Sequence, residues 1–160
     1  DMLICGMYGK GNVAFGGCND EEYKVHFALW CMMASPLMIG CDVRNMTKET
    51  HELLCNKALI EINQDPEVRP AFPIGGNISN DLALFRHMAD NAYTLAIFNF
   101  NEHDIRKSIE LYDIGISNHT GYGLELEEIF TGEKLTVREN FFANLKSHTC
   151  KVYKAKVVKL

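Results

Sequence analysis

The run Leu37-Met38-Ile39-Gly40-Cys41 constrains this chain more than any other feature. It is continuously apolar, it follows Pro36, and it stops at the charged Asp42. That is the pattern of a parallel strand covered on both faces, not of an alternating surface strand. One such strand does not make a sheet, so its neighbours are expected outside these residues. Helical segments flank it. Asn19 offers an N-cap with Glu22 three positions later, and Asp20, Glu21 and Glu22 suit the positive end of a helix dipole, which predicts a helix over residues 21–34. His26, Trp30 and Met33 recur at helical spacing, and the segment is nearly apolar all round after Val25, as expected of a helix buried on more than one side. A second helix is predicted from Thr47 to about Asn56, with Leu53 and Leu54 inward. The apolar Leu59-Ile60-Glu61-Ile62 closes this part. Upstream, residues 6–17 hold five glycines and form a loop, with neither phosphate-loop fingerprint present.

The period changes between residues 64 and 80, where Pro66, Pro70, Pro73, Gly75 and Gly76 punctuate the chain. Beyond this boundary, short alternating runs predict strands at 82–86, 93–100, 105–111, 124–130, 134–137 and 150–158. The first two form a hairpin across residues 89–92, and Thr131-Gly132-Glu133 marks another turn. Six to eight short strands in this length point to a small antiparallel sandwich. Phe85, Tyr93, Phe98, Phe100, Phe130 and Tyr153 fall on alternating strand positions, so they are expected in its core.

Composition narrows the function. The formal charge is −5 with acids and bases interspersed, which excludes a phosphate-binding surface and so a nucleic-acid partner. The lysines of residues 151–159 alternate as one solvated strand face. No apolar run reaches the ~20 residues of a membrane helix, so no membrane partner is expected. The six cysteines form no CxxC pair and are expected to be reduced, small hydrophobes, which together with the lack of a signal peptide suggests a cytoplasmic protein. His148-x-Cys150 lacks zinc-ligand spacing, so neither a metal nor a cofactor is expected. Asn-x-Ser/Thr triplets at Asn45, Asn77 and Asn118 are too short a signal to carry weight. Asp1 runs directly into apolar Met2–Cys5 without an initiator methionine, so the chain is expected to begin inside a longer protein.

Three segments carry a resemblance. Asp1-Met2-Leu3-Ile4 resembles the end of the "DPDML" motif of glycoside hydrolase family 27, which contains α-galactosidases and α-N-acetylgalactosaminidases. Phe27-Ala28-Leu29-Trp30 with Ala34-Ser35-Pro36-Leu37-Met38 is similar to that family's "ALW…A-x-PL" stretch. Glu61-Ile62-Asn63-Gln64-Asp65-Pro66 resembles its "AINQDP" motif, and Cys41-Asp42-Val43-Arg44 occupies the "NDLR" position between them. The resemblance covers residues 1–66 well and the later half loosely, best at His148-Thr149-Cys150-Lys151-Val152.

The resemblance implies an α+β piece of a larger enzyme. Residues 1–66 would be the final helix–strand–helix portion of a (β/α)8 barrel, and residues 67–160 a C-terminal antiparallel β-sandwich. It implies a retaining mechanism with two carboxylates about 5–5.5 Å apart. Both belong to motifs upstream of "DPDML" that no residue here matches, so the chain is expected to hold no catalytic residue. The same resemblance makes Asp1 and Met2 candidates for the galactoside pocket edge. It leaves Asp42 and Arg44 as a brace or ion pair beside it. Activity on α-galactosides, α-N-acetylgalactosaminides or β-L-arabinopyranosides stays open, with α-galactosides preferred. The competing function is a non-catalytic carbohydrate-binding or interaction sandwich. Finally, a barrel piece without its sheet neighbours should leave residues 21–41 partly uncovered, and a dimer is expected from that apolar surface.

Overall fold

A computed structural model describes residues 2–10, 16–76 and 79–160. Three helices, α1 (Asp20–Met32), α2 (Lys48–Leu54) and α3 (Lys57–Asn63), precede eight strands. The strands are β1 (Phe72–Ile74), β2 (Ala83–His87), β3 (Tyr93–Asn99), β4 (Ile105–Glu110), β5 (Tyr122–Glu128), β6 (Lys134–Val137), β7 (Asn140–Leu145) and β8 (Thr149–Lys159). Six strands form one antiparallel sheet in the order β1-β2-β3-β8-β5-β6, and β4 pairs with β7 in a second.

Strand alternation divides the core in two. Leu84, Ala96, Phe98 and Val152 face the helices and pack with Leu3, Phe27, Ala28, Met32, Leu59 and Ile62. Their neighbours Phe85, Leu95, Ile97 and Tyr153 face the other way and pack with Ile109, Ala143 and Leu145 of the β4–β7 pair. The large sheet is therefore covered by helices on one face and by the small sheet on the other. α1 is the centre of the helical layer, burying Tyr23, Val25, Phe27, Ala28, Cys31 and Met32. Beyond α3, a cross-strand Glu/Lys ladder takes over, with Glu125 opposite Lys156 and Glu127 opposite Lys154.

Local chemistry explains the element ends. The Asn19 side chain accepts from the Glu22 amide and Glu22 reaches back to the Asn19 amide, completing the capping box. α1 ends at Met32, two residues before its predicted end, because Ala34 adopts φ +53° and the residue before Pro36 is steered away from helical geometry. Thr47 caps α2 and Asn56 caps α3, so the apolar Leu59–Ile62 segment is a third helix. The predicted 89–92 turn closes the β2–β3 hairpin with Asp90 and Asn91 both at positive φ.

Two expectations are corrected. The 37–41 run is not a full strand: it makes one parallel bridge, Ile39 to Leu3, with the Leu3 amide donating to Met38 (2.7 Å) and the Gly40 amide to Leu3 (3.0 Å). A neighbour thus lies within the chain, and Met38 and Ile39 stand 54% and 43% exposed. Strands β1 and β7 were not anticipated. Proline in β1 and the Phe141-Phe142 doublet in β7 break the sequence alternation, although Phe142 points out and Ala143 and Leu145 point in.

Buried polar groups hold the joints. Glu128 accepts from the Phe130 and Thr131 amides and the Thr131 hydroxyl, fixing the β5–β6 turn. Asp65 accepts from the amides of Glu67 and Ala89, tying the 64–80 crossing to the hairpin. Arg86 is fully buried and donates to the Cys31 carbonyl near the α1 C-terminus, where a cation complements the helix dipole. Among the described residues, no helix is long and apolar enough to cross a membrane.

Candidate functional site

The two bridged segments run in the same direction, so their carboxyl ends lie side by side. In sheets of parallel strands that end is where ligands bind. Here it opens on a concavity of about 370 Å³ lined by Gly6, Met7, Lys10, Gly40, Cys41, Asp42 and Asn45.

The first wall is the segment after Leu3. Its Ile4 amide donates to His26 Nε2 at 3.2 Å, and burial pushes the His26 pKa down, which keeps the ring neutral and able to accept. The Tyr8 amide donates to the Tyr23 hydroxyl at 2.6 Å. The Tyr8 hydroxyl donates to Asp20 at 2.5 Å and lies within hydrogen-bond reach of Thr47 and Thr50, so the loop is fixed to both α1 and α2. Gly6 sits at φ +80° against Thr50, whose methyl carbon would be 2.6 Å from an added Cβ.

The second wall is the turn after Ile39. Gly40 lets the two backbones approach, since a Cβ there would meet the Leu3 carbonyl oxygen at 2.7 Å. Asp42 caps a single 3-10 turn, Val43–Asn45. Its carboxylate accepts from Arg44 Nε at 2.9 Å and Nη2 at 3.2 Å, from the Arg44 amide at 3.1 Å and from Asn45 Nδ2 at 3.0 Å. The Arg44 guanidinium, then Asn45 and the Arg44 amide, hold the Asp42 carboxyl down at about 2. Asp42 is therefore ionised at all ordinary pH values and is a poor proton donor. The Cys5 thiol behind the site is pushed up to about 12 by burial and is inert as a nucleophile.

Asp42 and Arg44 are thus brought together, each the other's partner. Met2 stands beside Gly40 and is 50% exposed, on the side of its segment opposite buried Leu3. Asp1 lies outside the described residues, as does Asn77. Gly6, Met7, Lys10, Gly40, Cys41 and Asn45 were not among the site candidates read from the sequence. The one available signal was Gly40, since glycine within an apolar strand marks close backbone approach.

The lining offers the Lys10 ammonium, the Asn45 side-chain amide and peptide edges as hydrogen-bonding groups, with the Cys41 thiol and the Met7 thioether as weaker, softer contacts. It includes one carboxylate among the described residues, and that one is spent on Arg44. A retaining double displacement needs two carboxyl groups, one of them with a raised pKa. Among the described residues, no group of His, Cys, Asp and Glu side chains is placed to hold a metal ion.

Comparison with known proteins gives a consistent result. Residues 1–65 match the family "Alpha galactosidase A". Alpha-galactosidase 3 of Arabidopsis thaliana is 53% identical over 66 residues, 41% of this chain and 15% of that protein. Alpha-galactosidase mel1 of Schizosaccharomyces pombe is 30% identical over 147 residues, 89% of this chain and 34% of that protein. The crystal structure of alpha-galactosidase I from Mortierella vinacea superposes with a TM-score of 0.79 at 26% identity, covering 97% of this chain and 38% of that one. The chain spans about a third of the relatives it matches along most of its own length.

Proposed function

From the premise that this chain is a relative of the family 27 glycoside hydrolases along nearly all its length, we propose that it forms the C-terminal part of a retaining α-galactosidase. In this reading residues 1–66 are the last portion of a (β/α)8 barrel. Leu3 and Ile39 stand on its two final strands, and residues 67–160 form the C-terminal β-sandwich. The parallel Leu3–Ile39 bridge carries the proposal. It sets two strand ends side by side at one concavity, the relation that adjacent strands of a parallel barrel have.

The division of labour follows from the lining. Strands outside the chain supply both carboxylates of the double displacement: the nucleophile that attacks the anomeric carbon and the acid/base that protonates the leaving oxygen. This chain supplies the pocket edge. Asp1 accepts hydrogen bonds from sugar hydroxyls and Met2 provides apolar contact. Asp42 and Arg44 brace the turn bearing Gly40 and Cys41, so that their backbone keeps its place when substrate binds. The six free cysteines suit a reducing compartment.

The test uses an aryl α-galactoside. The full-length protein should release the aryl group, and the 160-residue chain alone should not. Substituting Met2→Ala in the full-length protein should raise KM more than it lowers kcat. Turnover by the purified chain, or an inactive full-length protein, would overturn the assignment.

A further inference from the structure

Both ring nitrogens of His148 face carboxylates. Nδ1 lies 2.8 Å from Glu22 Oε1, and Nε2 lies 3.2 Å from Glu102 Oε1. A neutral imidazole carries one N–H and can donate to only one of them; the imidazolium donates to both. The three residues come from separate parts of the fold. Glu22 is in the first turn of α1, Glu102 lies between β3 and β4, and His148 immediately precedes β8. His148 is held there with φ +52°, a conformation that side-chain-bearing residues adopt rarely. Glu22 has a second duty, because its Oε2 accepts from the Asn19 amide at 2.8 Å in the capping box. Cys18, Val25 and Phe100 complete the walls of a small cavity around Glu22 and His148.

We propose that His148 is a proton-operated latch, which pins the first turn of α1 and its Cys18–Asn19 lead-in to the sheet while the ring is doubly protonated, and releases them when it is not. The two arms differ in strength. Glu22 is 29% exposed and His148 33%, whereas Glu102 is 90% exposed and screened by solvent, so the Glu22 contact dominates. The charges agree with the geometry. The bond to Glu22, with the field of both carboxylates, raises the His148 pKa from its ordinary value. The Asn19 amide and then His148 lower that of Glu22. Cys18, the remaining titratable group at the cavity, is shifted up by burial and by Glu22, so it stays neutral in this range.

The sign follows. The raised histidine stabilises fully below its unfolded pKa, and the effect is lost as pH rises through the folded value. The depressed glutamate stabilises above its unfolded pKa, and the effect is lost as pH falls through the folded one. The latch is therefore closed from just below the ordinary glutamate range to just above the ordinary histidine range.

Histidine-selective nitrogen NMR of the full-length protein, with hydrogen exchange across Asp20–Tyr23, tests this. At about pH 6, both His148 nitrogens should be protonated, and the ring should titrate above the ordinary ~6.5. Once the intrinsic base-catalysed rate at each pH is divided out, protection of the Glu22 and Tyr23 amides should fall several-fold through that same transition. Glu22→Gln keeps a capping-box side chain while removing the charge, so it should lower the His148 titration point without unfolding α1. Glu102→Gln should lower it less. A singly protonated ring at about pH 6, a titration point unmoved by Glu22→Gln, or exchange that ignores the His148 transition would each overturn the latch.

Discussion

At the residue scale, the site depends on atoms that are missing as much as on those present. Gly40 has no Cβ, and only so can its backbone lie against the Leu3 carbonyl. Gly40→Ala must push two backbones apart instead of nudging a flexible side chain. We expect a loss of about 1–3 kcal/mol, read as a lower Tm of the full-length protein, with substrate KM raised because the shift opens the pocket edge. Unchanged stability would mean that the Leu3–Ile39 bridge is not held closely in solution. Asp42 shows what sequence can and cannot reveal at this scale. The resemblance of residues 41–44 to the family's "NDLR" stretch marked it as a candidate brace beside the pocket. That Arg44 would wrap back to hold both carboxylate oxygens depends on one 3-10 turn that no periodicity announces. Met7 and Lys10 went unmarked for a similar reason: a loop's side chains acquire a direction only once the loop is tied down, here through Ile4 to His26 and through Tyr8 to Tyr23 and Asp20.

At the element scale, the legible parts of the fold were those whose signals are local. The capping box at Asn19 and Glu22 set the start of α1 to within one residue, and the alternation in 93–100 and 134–137 gave β3, which ends one residue earlier, and β6. Segments decided by tertiary pairing were not legible: β7 exists because β4 offers it an edge, from Ile105–Leu145 to Glu110–Asn140. The 37–41 run had the composition of a strand but pairs at one residue, because strand formation requires partners as well as pattern. Asn19→Ala removes the side-chain acceptor for the Glu22 amide. It should destabilise the chain by about 1 kcal/mol in chemical denaturation, and Asn19→Ser should recover most of that. Equal losses in the two variants would show that the cap does not hold α1.

At the scale of the whole molecule, residues before and after the proline-rich crossing share a core: Phe27, Ile62, Phe98 and Val152 belong to one cluster. The barrel portion and the β-sandwich we assign are thus fastened by a dry contact, and α1 is braced even where strand neighbours are lacking. The bridged segments and the residues flanking them are less protected, with Met2, Met33, Met38, Ile39 and Val43 all between 42% and 60% exposed. Apolar surface of this kind drives association. The 160-residue chain on its own should form dimers or larger species by light scattering, and Ile39→Lys should shift it toward monomer. A wild-type chain that is monomeric at every concentration would refute this.

β8 lies at the middle of the large sheet, between β3 and β5, although it follows every other strand in sequence. During synthesis, the β1–β3 leaflet and the β5–β6 hairpin leave the ribosome as separate pieces with open edges, and neither can join the other until the central strand has emerged. Between the completion of β6 at Val137 and the emergence of β8 at Thr149–Lys159, the nascent protein therefore carries two half-sheets with open edges, an interval in which chaperone capture or contact with neighbouring chains bears on its yield.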